Sequence, residues 1–154
     1  MTGTGDVHVQ AAGSADIADW LALRVALHGA SDDHRDDILQ ILARPERGAC
    51  FIARGADGAA LGFAEVALRG DYVNGCETSP VGFLEAIYTV PAARQRGVAR
   101  ALSQAVEAWT LARGCTELGS DALLDNVDSH AMHGALGFAE TERVVFFRKA
   151  LHRS

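Results

Sequence analysis

Glu85, Asp121 and the basic turn Arg94-Gln95-Arg96-Gly97-Val98-Ala99 are the residues of this 154-residue chain whose chemistry stands out from their surroundings. The turn lies between a strand-like run at residues 83–90 and an amphipathic helix starting near Gly97. A helix that begins in a glycine-containing turn presents unpaired backbone N–H groups and the positive end of its dipole, and together these bind an anion. Gly97 lets the main chain approach a phosphate closely, while Arg94 and Arg96 add mobile positive charge. No lysine stands in the turn, and neither GxxxxGK[ST] nor GxGxxG occurs, which argues against an ordinary nucleotide loop. A plain surface turn is the alternative reading. Glu85 is a carboxylate inside an apolar run, where a buried charge is costly unless paired; otherwise strand alternation turns it to solvent. Asp121 ends the next strand-like run, or else caps the turn before Asn126.

The elements that position these residues follow from periodicity and punctuation. Residues 7–10 alternate and predict a first strand. Ser14 and Asp16 are expected to cap a helix reaching His28, with Ile17, Trp20, Leu21, Leu23 and Leu27 as its apolar stripe. Residues 33–43 predict a second helix, which stops before Pro45. Residues 50–53 and 61–68 read as a strand pair around Ala56-Asp57-Gly58. A polar loop at residues 71–80 precedes the run at 83–90, which Pro91 closes. From Gly97 to Arg113 the apolar positions keep helical spacing, and Gly114 ends the helix. Residues 116–120 predict a short strand, 126–136 a last helix and 143–148 a last strand. The expected order is strand, two helices, three strands, helix, strand, helix, strand. This predicts a mixed α/β fold over residues 7–151 as one domain, following a disordered lead at residues 1–6. The antiparallel first half giving way to strand–helix–strand crossovers leaves room for a splayed sheet.

Composition narrows the function. A net charge of −6 argues against nucleic acid as a partner, because phosphate binding wants a basic face. Acidic residues cluster at Asp32, Asp33, Asp36 and Asp37 and again at Asp121, Asp125 and Asp128; they either steer a cationic substrate or serve solubility. No apolar run is long enough to span a membrane, and the N-terminus does not read as a signal peptide. Cys50, Cys76 and Cys115 are widely spaced, which suits a reducing cytoplasm and neither a disulfide framework nor a metal site.

Several motifs line up with one family. The run ending Glu85-Ala86-Ile87-Tyr88-Thr89-Val90, then a proline, then Arg94 to Ala99, resembles the acetyl-CoA motif of the GNAT acyltransferase superfamily. Asn126 followed by Ala135-Leu136-Gly137-Phe138 resembles its closing motif. Asp71-Tyr72-Val73-Asn74-Gly75-Cys76, Phe83-Leu84-Glu85, Ser120-Asp121 and Glu140-Thr141-Glu142-Arg143 make the chain similar to bacterial aminoglycoside 6′-N-acetyltransferases from about Phe51 onward. The resemblance implies a GNAT fold, acetyl-CoA as co-substrate, no metal, an aminoglycoside or other polyamine-like acceptor, and a homodimer.

It also implies roles. Main-chain groups of Ile87 and Thr89 are expected to hold the pantetheine arm, and Arg94, Gln95, Arg96, Gly97, Val98 and Ala99 the pyrophosphate. Asn126 is expected on the coenzyme arm, with helix capping as its alternative. Glu85 and Asp121 are expected substrate contacts, Tyr72 closes over the substrate or else joins a dimer contact, and Glu85 or Asp121, directly or through water, is the acceptor of the amine's proton. The family often carries tyrosine four residues before the glycine of the Gly-Phe pair; His133 stands there and is the candidate acid for the leaving thiolate. The chain also departs from its close relatives at His28, where they often carry tryptophan. Cys115 suggests an acyl-cysteine route, against which stand direct attack and the inertness of buried thiols. The competing functions are acetylation of another amine (a polyamine, a small metabolite or a protein N-terminus) and a non-catalytic acyl-CoA sensor.

Overall fold

The computed structural model describes residues 6–153, so the expected lead at residues 1–6 lies, except for Asp6, outside the described residues. It divides into two compact units, one ending at Asp121 and the other starting at Ala122. The first unit holds β1 (His8–Ala11), α1 (Ile17–His28), α2 (His34–Ala43), β2 (Gly48–Arg54), β3 (Ala60–Arg69), β4 (Val81–Thr89), α3 (Val98–Ala112) and β5 (Leu118–Ser120). Its sheet has the order β1-β2-β3-β4-β5, antiparallel throughout except for the parallel β4–β5 pair.

Helices cover both faces of this sheet. Trp20 and Leu23 of α1 and Ile38 of α2 pack with Cys50, Ile52 and Phe63 into one core layer. The neighbours of Phe63 point the other way, toward α3. Gly62 shows how closely that helix approaches: a Cβ there would stand 2.4 Å from the Tyr88 carbonyl oxygen and 3.1 Å from a methyl of Val98. The buried side of α3 is Val98, Leu102, Val106 and Trp109, the spacing read from the sequence.

The α1–α2 layer is joined to the sheet by a buried polar network. Glu65 of β3, 3% exposed, accepts hydrogen bonds from Trp20 Nε1 at 2.7 Å, Arg24 Nε at 2.7 Å and Arg24 Nη2 at 2.8 Å. The remaining nitrogen of Arg24 reaches Asp37 at 3.0 Å and His34 Nδ1 at 3.2 Å, while His34 Nε2 lies 2.8 Å from the Gly29 carbonyl. The hydrogen bond to Glu65 raises the Arg24 pKa further. Asp16 does not cap α1; its carboxylate accepts from the Gly13 N–H at 2.8 Å and pairs with Arg54 at 2.9 Å.

The second unit contains α4 (Val127–Ala135), and its residues 138–153 form neither helix nor strand. The strand expected at 143–148 is therefore absent from the single chain. β propensity in Val144-Val145-Phe146-Phe147 marks a segment that fits a pleated surface, but a strand also needs a neighbour to bond. Phe146 and Phe147 are instead exposed.

Arg24→Met should destabilise the fold by about 3–5 kcal/mol, because it strips the buried Glu65 carboxylate of its cation. Urea unfolding monitored by Trp20 and Trp109 fluorescence measures this; a loss below ~1 kcal/mol would mean that Trp20 alone satisfies Glu65.

Candidate active site

β4 and β5 part company at the point where the candidate carboxylates stand. They pair only over Gly82, Phe83 and Leu84 with Leu118, Gly119 and Ser120. Beyond Leu84, β4 continues its pairing with β3, and a bulge interrupts that ladder: Glu65 pairs with Ala86 but Val66 pairs with Leu84. Glu85 is thus the extra residue, and a bulge re-aims the side chain it carries. Leu84 and Ala86 are both buried, at 3% and 8% exposure, while the Glu85 side chain between them is 35% exposed. Simple alternation would put Leu84 and Ala86 on one face; the bulge lets them follow Val66 and Glu65, adjacent residues on opposite faces of β3. Asp121 directly follows Ser120, the register partner of Leu84, so Glu85 and Asp121 are each the first residue beyond the paired segment. Asp121 makes no hydrogen bond or ion pair among the described residues, and the cap of α4 is Asn126 instead.

The parting also opens a main-chain edge. Val90 N donates to Leu61 O at 2.9 Å. Alternation then directs the peptide groups of Tyr88 and Ala86 to β3 and those of Ile87 and Thr89 to the unpaired side. The Thr89 carbonyl there accepts a hydrogen bond from Arg94 Nε at 3.2 Å.

After β4 the chain makes a turn at Pro91–Ala93 and reaches the basic loop. Two residues of that loop have left-handed backbones, Gln95 at φ 64° and Gly97 at φ 78°. This is expected for glycine and costly for glutamine. The first helical bond at this end runs from Ala101 N to Gly97 O, so the N–H groups of Val98 and Ala99 lack partners among the described residues. No side chain caps the helix, and a Cβ at Gly97 would meet open space. Unpaired N–H groups, a left-handed loop and a 15-residue helix dipole make a cradle for an anion. A cavity of about 260 Å³ lined by Gly55, Asp57, Leu61 and Arg96 adjoins the loop.

A second cavity, of about 310 Å³, extends from Glu85 to α2 and includes Gln40 and Arg44 in its lining. Tyr72 lies in the loop between β3 and β4 and is exposed. That loop is held by Glu117, whose carboxylate accepts from the amides of Glu77 and Thr78 and from the Thr78 hydroxyl. These bonds, led by the Thr78 hydroxyl, hold its pKa below the usual glutamate value.

In the second unit, Asn126 caps α4 by accepting from Ser129 N at 3.2 Å, so the capping alternative holds for its oxygen. His133 Nδ1 lies 2.7 Å from the Ser129 carbonyl, which requires a proton on Nδ1. The neutral ring therefore carries its lone pair on Nε2. Its edge meets Phe138, with ring centroids 5.2 Å apart. Cys115 is buried at 3% exposure, which removes it from reach as a nucleophile.

Three side chains central to this site were not singled out in the sequence. Glu65 offered the same signal as Glu85, a carboxylate in an apolar run, and only its burial separates the two. Arg69 and Glu117 carried no local signal, because each acts through a partner distant in sequence.

Residues 16–138 match the model of the acetyltransferase (GNAT) family. The chain belongs to that family. Among its GNAT relatives, the aminoglycoside N(6′)-acetyltransferase type 1 of Serratia marcescens is 58% identical over 134 residues, covering 86% of this chain and 91% of the relative. The apo crystal structure of an aminoglycoside antibiotic 6′-N-acetyltransferase from Acinetobacter haemolyticus superposes with a TM-score of 0.89 at 46% identity, covering 94% of this chain and 99% of that one. AAC(6′)-Iy in complex with the bisubstrate analogue CoA-S-monomethyl-acetylneamine gives 0.88, also at 46% identity and with the same coverage. The splayed mixed sheet with helices on both faces is accordingly the GNAT sheet, as the sequence implied.

Acidification should release the loop at residues 71–80. Because the folded Glu117 carboxylate has a lowered pKa, its hold is complete above the ordinary glutamate value and is lost as pH falls through the folded one. Hydrogen exchange at the Glu77 and Thr78 amides follows this; Glu117→Gln should speed exchange at neutral pH, and unchanged protection would refute the anchoring role.

Proposed function

We propose that this chain transfers the acetyl group of acetyl-CoA to the 6′-amino group of aminoglycosides. The observation that carries the reading is the pair of carboxylates, Glu85 and Asp121, standing where β4 and β5 separate, beside an unpaired main-chain edge that leads to an anion cradle. The names of the relatives support the substrate. Family membership over residues 16–138, spanning both compact units, supports one GNAT domain over residues 7–151.

The residues fit the coenzyme. N–H groups of Val98 and Ala99, with Arg94, Gln95, Arg96 and Gly97 around them, receive the pyrophosphate. The outward peptide groups of Ile87 and Thr89 receive the pantetheine amides, and Asn126 keeps its amide nitrogen for the same arm. Acetyl-CoA supplies the acyl group as a thioester. Glu85 and Asp121 hold the ammonium groups of the acceptor, and Tyr72 lies on it. A protonated amine cannot attack, so Glu85 or Asp121, directly or through water, takes one proton from it. Ordinary carboxylates are weak bases, and placement matters more than basicity. His133 returns a proton to the thiolate; with Nδ1 committed to Ser129, it can do so from Nε2 only as the imidazolium.

The same reading includes a homodimer, in which a second copy covers the exposed run Val144-Val145-Phe146-Phe147 and gives it the strand neighbour it lacks. It places the enzyme in the cytoplasm: all three thiols are free, and among the described residues no helix is long and apolar enough to cross a membrane. It includes no metal, no nucleic acid and no membrane partner.

Thiol release from acetyl-CoA should occur with kanamycin and not with an analogue carrying a 6′-hydroxyl. Silence with both, while acetyl-CoA still binds, would discard the substrate and keep the fold. Asp121→Ala should raise the KM for kanamycin by about tenfold, the scale of a lost charge-assisted contact, and leave that for acetyl-CoA unchanged. Gly97→Asp should do the reverse, since a carboxylate at the helix N-terminus opposes the pyrophosphate. Equal effects on both substrates in either variant would break the assignment.

A further inference from the structure

Glu85 is not a vacant cation site. Arg69, the last residue of β3, donates to Glu85 Oε1 from Nε at 3.1 Å and from Nη2 at 2.9 Å, and Nη2 also reaches Oε2 at 3.0 Å. The guanidinium carbon lies over the Phe83 ring, 3.6 Å from its centroid. Register explains the reach: Arg69 pairs with Val81, and its side chain runs along β4 across Phe83 to the bulged residue. A carboxylate has about four lone-pair positions, and Arg69 occupies three of them.

Resting on the reading of Glu85 as an ammonium ligand, we propose that Arg69 is a built-in counter-cation of the acceptor site, which weakens the grip on the amine and thereby favours its deprotonation. An ammonium arriving at Glu85 must share or displace the guanidinium and meets a like charge beside it. Glu85 alone would bind the ammonium tightly and hold it in the form that cannot attack. With Arg69 in place, the bound amine loses its proton more readily, at the expense of affinity.

The other charges near Glu85 leave this effect to Arg69. In the cavity beside it, Arg24 is already bonded to Glu65 and Asp37, while Arg44 and Arg47, between α2 and β2, line it without bonding Glu85. Asp121, from the end of β5, favours the charged amine, as Glu85 does. Arg69 is the cation in direct contact with Glu85.

Arg69→Met keeps an apolar stem over Phe83 and removes the charge. Its KM for kanamycin should fall by about two- to fivefold, the range of a solvent-exposed ion pair, with the acetyl-CoA KM unchanged. The acid limb of its kcat–pH profile should move to higher pH, since kcat reports ionisations in the bound complex. Arg69→Lys should restore both wild-type values. A raised KM in Arg69→Met, or an unmoved kcat profile, would overturn the proposal and leave Arg69 as a brace for Glu85. Glu85→Gln, assayed in parallel, separates the two levels. If that variant binds kanamycin as the wild type does, the ligand role of Glu85 itself is wrong. If it binds more weakly while Arg69→Met shows no gain, only the counter-cation is wrong.

Discussion

The hydrogen-bonded ion pair between Arg24 and Glu65 fixes β3 where its register with β4 changes. Glu65 pairs with Ala86 on one side of the bulge, and Val66 pairs with Leu84 on the other. Its carboxylate is bonded by Trp20 and Arg24, so β3 cannot slide without breaking a buried network. A slip by one residue would reverse every side chain of the strand. The bulge therefore stays at Glu85, and Glu85 stays outside the apolar row that flanks it. This contact ties α1 and α2 to the sheet beside the apolar core that they share.

The separation of β4 from β5 supplies the rest of the site from the same cause. A strand bonded on both sides offers no main-chain groups to a ligand, whereas the pairing of β4 with β5 stops at Leu84. The edge of Ile87 and Thr89, the exit of Asp121 and the start of the basic loop are consecutive features along that opening. Recognition through peptide groups needs no particular side chain, so the neighbouring residues stay apolar and serve the core as well.

Much of this was legible in the sequence. Periodicity placed nine of the elements to within a few residues, and glycine after a closing proline marked the left-handed turn at the start of α3. The failures have identifiable causes. Glu65 and Glu85 sit in runs of similar apolar character, Gly62-Phe63-Ala64-Glu65-Val66 and Phe83-Leu84-Glu85-Ala86-Ile87. Only the pairing of the two strands, with its bulge, decides that one carboxylate is interior and the other exposed. Strand β3 was expected to end at Leu68, and the residue beyond it, Arg69, is the one that binds Glu85. For residues 143–148 the propensity is present but no strand forms, and a local pattern does not report whether a strand finds a partner.

Gln95 gives the anion loop a further property. A glutamine held at φ 64° opposes the intrinsic preference of its backbone, at roughly 1–2 kcal/mol. That distortion is met once, when the chain folds, and not again at each encounter with a ligand. The loop is therefore already curved before any anion arrives, so association need not wait for it to rearrange. In the proposed coenzyme role, the loop would present its N–H donors without first being ordered, whereas a looser, glycine-only version would have to be ordered on binding.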